Sequence, residues 1–122
     1  MKFAQRDFSA ILKLGIQLIS NSDNSQNAAA AHKLIYGLAR FVSEDRIESV
    51  QAMSDLIDFE TAAIIVANLD EEEFDWAKDL LYEVATTDVE LNDAQRAIFD
   101  NLIDLYWQNQ PADDDGRYDF EI

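Results

Sequence analysis

Residues 70–86 read DEEEFDWAKDLLYEVAT, and two helical patterns run through them. Asp70 followed three positions later by Glu73 has the form of a capping box. In such a box the cap's side chain takes a first-turn amide, and the glutamate reaches back to the cap's own amide. Behind it, Leu80, Leu81 and Val84 mark an apolar face at helical spacing. The acids keep a spacing of their own: Asp75, Asp79 and Glu83 recur every four residues, with Glu72 a turn earlier. That spacing predicts a helix reaching about Thr86, with a stripe of carboxylates on the face away from its apolar residues.

The same period extends in both directions. Only three glycines and one proline interrupt 122 residues, so helices are expected throughout. The first runs from about Asp7 to Ile19. Its Phe8, Ile11, Leu12, Leu14, Ile16, Leu18 and Ile19 cover most of the circumference, which marks a helix buried centrally or in a subunit interface. The polar cluster at residues 21–25 is a loop. A second helix follows, from about Gln26 to Val42, with Ala31, Leu34, Ile35, Leu38 and Phe41/Val42 as its core face. Ser43, with Glu44 and Asp45 behind it, starts a third helix that ends near Ile57, since negative charge favours the positive end of the helix dipole. Asp58 caps a fourth, about Phe59 to Leu69, whose run Ala62–Ala67 reads as fully buried. A weaker repeat of the capping pattern at Asn92 and Gln95 opens the last helix, about Asp93 to Gln108, which Pro111 closes. The fold expected is all-α: one compact bundle of five or six helices over residues 1–110, with an acidic C-terminal tail over 111–122.

The charge is distributed very unevenly. Residues 1–42 carry five basic side chains against two acidic ones; residues 43–122 carry four against 23, and the formal net charge is −16. Such a surface repels nucleic acid and lipid headgroups and attracts basic protein surfaces over a Debye length of about 8 Å at physiological salt. The absence of cysteine removes a disulfide framework, a thiolate metal site and a cysteine nucleophile from consideration. The N-terminal stretch is not read as a signal peptide, because Arg6, Asp7, Lys13 and Gln17 break its apolar run at helical spacing. The longest strictly apolar run elsewhere, Ala62–Ala67, is far too short to span a bilayer. A cytoplasmic protein with no membrane contact is expected.

Several chemistries can be weighed on spacing. His32 is the one histidine, and position 29, where a di-iron bundle needs glutamate, is Ala29. Asp113-Asp114-Asp115-Gly116 suggests a calcium loop, but aligning its glycine puts Pro111 and Ile122 where the first aspartate and the bidentate glutamate belong. With no glycine-rich phosphate loop either, no enzyme activity, cofactor or metal is expected. The acidic spacing remains. A second stripe, Asp93, Asp100 and Asp104, lies on the last helix away from Ile98, Leu102, Leu105 and Tyr106. Carboxylates four residues apart sit about 6 Å apart along a helix axis, so two neighbouring helices offer about one charge per 3 Å. B-DNA offers about one per 1.7 Å, which is the same order. An acidic face is ordinarily just a solvated face. Here 17 acids meet three bases over residues 70–122, so like charges go uncompensated where a merely soluble surface would mix both signs. Trp76, set between Asp75 and Asp79, is either an interface anchor or packed against a neighbouring helix.

The segment Asp70 to Glu83, together with the acidic tail, resembles the acidic helical inhibitors encoded by phages and mobile elements. Those proteins mimic DNA to block restriction enzymes, and some anti-CRISPR proteins similarly occupy DNA-binding surfaces. The resemblance implies a non-enzymatic inhibitor of a basic nucleic-acid-handling protein, with no direct contact to nucleic acid itself. Its partner-binding residues would be Glu72, Asp75, Trp76, Asp79, Glu83, Asp93, Asp100 and Asp104. The near-neutral N-terminal third departs from a uniformly acidic mimic and suggests a separate role, such as a homodimer through the first helix. Two other classes fit the same composition: an immunity-type protein neutralising a cognate toxin, and a helical adaptor binding through an apolar groove.

Overall fold

A computed structural model describes residues 3–21, 27–87 and 90–109. It contains six helices: α1 (Gln5–Ser20), α2 (Asn27–Ala39), α3 (Glu44–Leu56), α4 (Phe59–Ala67), α5 (Glu71–Ala85) and α6 (Asp93–Gln108). No strand occurs among the described residues. The tail expected at 111–122 and most of the loop expected at 21–25 lie outside them.

α1 is the centre of the bundle and packs against α2, α3, α4 and α5, while α6 packs on α4. Its Ile11, Leu14 and Leu18 are fully enclosed, and Ile16 is its one large apolar residue left largely open. Of the two readings of an all-round apolar helix, central burial describes α1. Ser9, also fully buried, donates its hydroxyl to the Gln5 and Val50 carbonyls at 2.9 and 3.1 Å, so a polar contact joins α1 to α3 inside the core. Two glycines set how closely helices approach. A Cβ on Gly15 would lie 2.5 Å from a Leu34 methyl, and one on Gly37 2.5 Å from a Leu80 methyl. These are the crossings of α2 over α1 and over α5.

Two expectations are corrected. Ala62–Ala67 is not uniformly buried: Ala62, Ala63, Val66 and Ala67 form the enclosed face, whereas Ile64 is 49% exposed. A helix of 3.6 residues per turn cannot hide six consecutive side chains unless partners surround it, and only the α1- and α6-facing sides of α4 are well covered. In α2, Ala30 rather than Ala31 joins Leu34 and Leu38 in the core, and Phe41 and Val42 follow the helix end instead of continuing it. The caps agree with the sequence. Asp58 accepts the Thr61 amide at 2.7 Å, and the Asp70 amide donates to Glu73 at 3.4 Å. The Asn92–Gln95 box, read as the weaker one, is fully reciprocal, at 2.9 and 3.1 Å.

Candidate protein-interaction surface

Glu72, Asp75, Asp79 and Glu83 all lie on the exposed face of α5, opposite Phe74, Ala77, Leu81 and Val84, which are buried. Asp93, Asp100 and Asp104 are likewise exposed on α6, opposite Gln95, Phe99, Leu102 and Tyr106. Both stripes are therefore where the helical period puts them. Among the described residues, the one ion pair involving them is Asp75 with Lys78 at 3.8 Å, a surface contact worth little.

The two helices are linked by rings. Phe74 stacks on Tyr106 with centroids 4.0 Å apart, and Tyr82 meets Phe99 edge-on at 6.0 Å. Moving forward along α5 therefore moves backward along α6, and the helices are antiparallel. This pairing places Asp75 near the level of Asp104, and Asp79 near that of Asp100, offset by one to two residues, or about 1.5–3 Å along the axis. These four carboxylates thus form two offset rungs about 6 Å apart. The acidic N-terminal end of α5 also acts on the core. Burial raises the Tyr106 phenol above its ordinary pKa, and the charges of Glu71, Asp75 and Asp70 raise it further.

Trp76 packs against a neighbouring helix end. It is half-buried among Phe3 and Phe41, at 5.2 and 5.1 Å, the latter at nearly a right angle. With Phe8 these rings seal the junction of α1, the end of α2 and α5. Trp76 therefore borders the acidic stripe without standing free in it.

Sequence reasoning missed the other flank of α5. Between α2 and α5 lies a groove of about 750 Å³. Lys33, Tyr36 and Arg40 form its α2 wall, with His32 stacked on Tyr36 at 4.7 Å. Asp79, Glu83 and Trp76 form the α5 wall, and Gly37 over Leu80 is its floor. One wall is cationic and the other anionic. Two of the stripe carboxylates thus face positive charge across the groove, whose lining mixes charged side chains with Tyr36, Trp76 and Leu80. The i, i+7 spacing of Lys33 and Arg40, with Tyr36 between, was the available signal. No cluster of three or more histidine, aspartate or glutamate side chains able to hold a metal ion occurs among the described residues, and none of their helices is long and apolar enough to cross a membrane.

No protein-family model matches the chain, and no curated protein matches it in sequence. Its fold is similar to a crystal structure of a protein of unknown function from Porphyromonas gingivalis W83, with a TM-score of 0.66 and 18% identity over 88% of this chain and 81% of that one. At that identity the likeness shows the fold alone.

Proposed function

We propose that the chain is a non-enzymatic acidic inhibitor whose α5 and α6 carboxylates occupy phosphate positions on a basic, nucleic-acid-handling protein, in the manner of phage-borne anti-restriction and anti-CRISPR proteins. The observation that supports this most is the double row itself: seven exposed carboxylates on two antiparallel helices, with one weak ion pair among them. Phosphates on the two strands of a duplex are likewise two rows of charge flanking a groove. Neighbouring carboxylates are about 4.5–6 Å apart in the α5 row. In the α6 row Asp100 and Asp104 are about 6 Å apart and Asp93 lies about 10 Å further along, so the two rows together average about one charge per 3 Å. A cavity for small-molecule chemistry has no part in this reading; complementary charge speeds association and fixes specificity.

The test is capture from host lysate on the immobilised chain, followed by elution with duplex DNA. Captured proteins should be basic, should bind nucleic acid and should be released by the duplex. A partner that DNA cannot displace, encoded beside this gene and toxic on its own, would favour the immunity-type reading instead. Replacing Asp93, Asp100 and Asp104 with Asn removes three charges from α6 without touching the α2–α5 groove, and capture should fall. Undiminished capture by that variant would contradict the double-row reading.

A further inference from the structure

We propose that the α2–α5 face pairs two copies of this chain about a two-fold axis running along the two helices. A face with a cationic strip beside an anionic strip is self-complementary under one operation: rotation about an axis in the face, parallel to the strips, lays each cationic strip on the partner's anionic one. An axis across the helices would instead put like on like. α2 and the residue just past its end contribute Lys33 and Arg40 to the groove and no acid; α5 contributes Asp79 and Glu83 and no base.

Height along the helices decides whether charges meet. Gly37 sits against Leu80 and, four residues on, Phe41 meets Trp76, four residues back, so α2 runs antiparallel to α5. Rotation about an axis along the helices preserves height. Lys33 of one copy therefore comes level with Glu83 of the other to within about one residue, or 1.5 Å. Arg40 comes level with the turn holding Trp76 and Asp79. Tyr36, at 67% exposure, lies between the two cations and has the partner's Leu80 at its level. Phe41, 42% exposed, extends the contact at one edge.

Size and net charge set the strength. Two helices about 20 Å long lying side by side present roughly 400 Å² in projection, and more with side-chain relief. That is below the bound of about 600 Å² per partner for stable specific pairs, in the range of weak contacts. Each copy carries −16, which opposes association. However, α6 lies on the opposite flank of α5 from the groove, and a helix diameter of about 10 Å exceeds the Debye length of about 8 Å at physiological salt. The dimer is therefore weak and concentration-dependent. α1, enclosed by four helices, offers a second copy little by comparison. The observations behind this pairing are separate from those behind the proposed inhibitor function, but the two would compete for Asp79 and Glu83, leaving Glu72, Asp75 and the α6 row free.

Sedimentation equilibrium over a hundredfold concentration range at physiological salt tests it, with no other protein present. Wild type should shift from one-copy to two-copy mass. Lys33→Glu/Arg40→Glu makes both strips acidic, and Asp79→Lys/Glu83→Lys makes both basic. Each pair should weaken self-association by at least about tenfold while keeping the helical spectrum, since all four side chains are exposed. Mixed in equal amounts, the two variants should dimerise again, because each strip then meets its opposite. A wild type that stays at one-copy mass overturns the proposal, as do variants that pair like wild type, or a mixture that stays at one-copy mass.

Discussion

Gln95 does more for this fold than its place in a capping pattern suggests. It is fully buried, and its side-chain amide donates to the Leu18 carbonyl at 2.9 Å, 77 residues away in sequence. Asn92, its partner in the box, donates its own side-chain amide to the Asn21 carbonyl. One box therefore starts α6 and also satisfies a carbonyl at the end of α1, a group that helix geometry leaves without an internal partner. Gln95→Ala should cost about 2–4 kcal/mol, from an orphaned buried carbonyl plus a cavity. Chemical denaturation checks this; a loss no greater than the roughly 1 kcal/mol of an ordinary cap would contradict it. The box was legible from Asn92 and Gln95 alone, but its long-range bonds were not, because local spacing carries no information about which distant carbonyl stands opposite. Glycine was under-read in the same way, as a breaker instead of a contact point. A methyl at Gly15 would meet Leu34, which is 1% exposed and has nowhere to move, whereas one at Gly37 would meet Leu80, at 9% and beside the groove. Gly15→Ala should therefore be destabilising by about 1–2 kcal/mol despite its better helix propensity, while Gly37→Ala should be close to neutral. The reverse order in denaturation midpoints would sink that account.

Between elements, the acidic stripes bear on stability as well as on the proposed binding. The period-four spacing made both stripes readable, since solvent-facing positions follow from the helix period once the apolar face is set. It did not show that α5 and α6 run level with each other, nor that α2 turns cations toward Asp79 and Glu83, because both depend on how helices are arranged around α1. Likewise Ile64 looked buried in its run, and only the placement of α1 and α6 around α4 decides that it is not. Asp79→Asn with Glu83→Gln should leave the melting temperature unchanged or raise it slightly, by relief of like-charge repulsion worth a few tenths of a kcal/mol per pair. A marked drop would mean that these carboxylates pair with the α2 cations strongly within one copy. The contact between α5 and α6 adds a pH dependence. The folded state holds the Tyr106 proton more tightly than the unfolded chain does, because of burial first and the charges of Glu71, Asp75 and Asp70 next. Its contribution to stability is thus complete below the unfolded value, near pH 10, and is lost as pH rises above it. Thermal melts on either side of that pH should show the loss in wild type and a smaller loss in Tyr106→Phe; equal losses would place the alkaline sensitivity elsewhere.

At the scale of the molecule, the six-helix bundle built on a central α1 leaves one side, α5 and α6, that is acidic along its length, and a neighbouring face, α2 with α5, where the signs meet. The all-α bundle was legible because glycine and proline are scarce and the apolar period is unbroken; the division of the surface was legible only in part, because α2's cations read as scattered charges until α5 was placed beside them. The central claim is that the arrangement of the α5 carboxylates, and not net charge alone, binds a basic partner. The most direct measurement is the salt dependence of association with a captured partner for two variants of equal charge. One carries Asp75→Asn, Asp79→Asn and Glu83→Gln; the other carries Asn at positions 113, 114 and 115. If the stripe occupies phosphate positions, the first variant should associate more slowly and with a flatter salt dependence than wild type, while the second should differ little from it. Equal losses in both would contradict the claim and leave net charge as the whole of the effect.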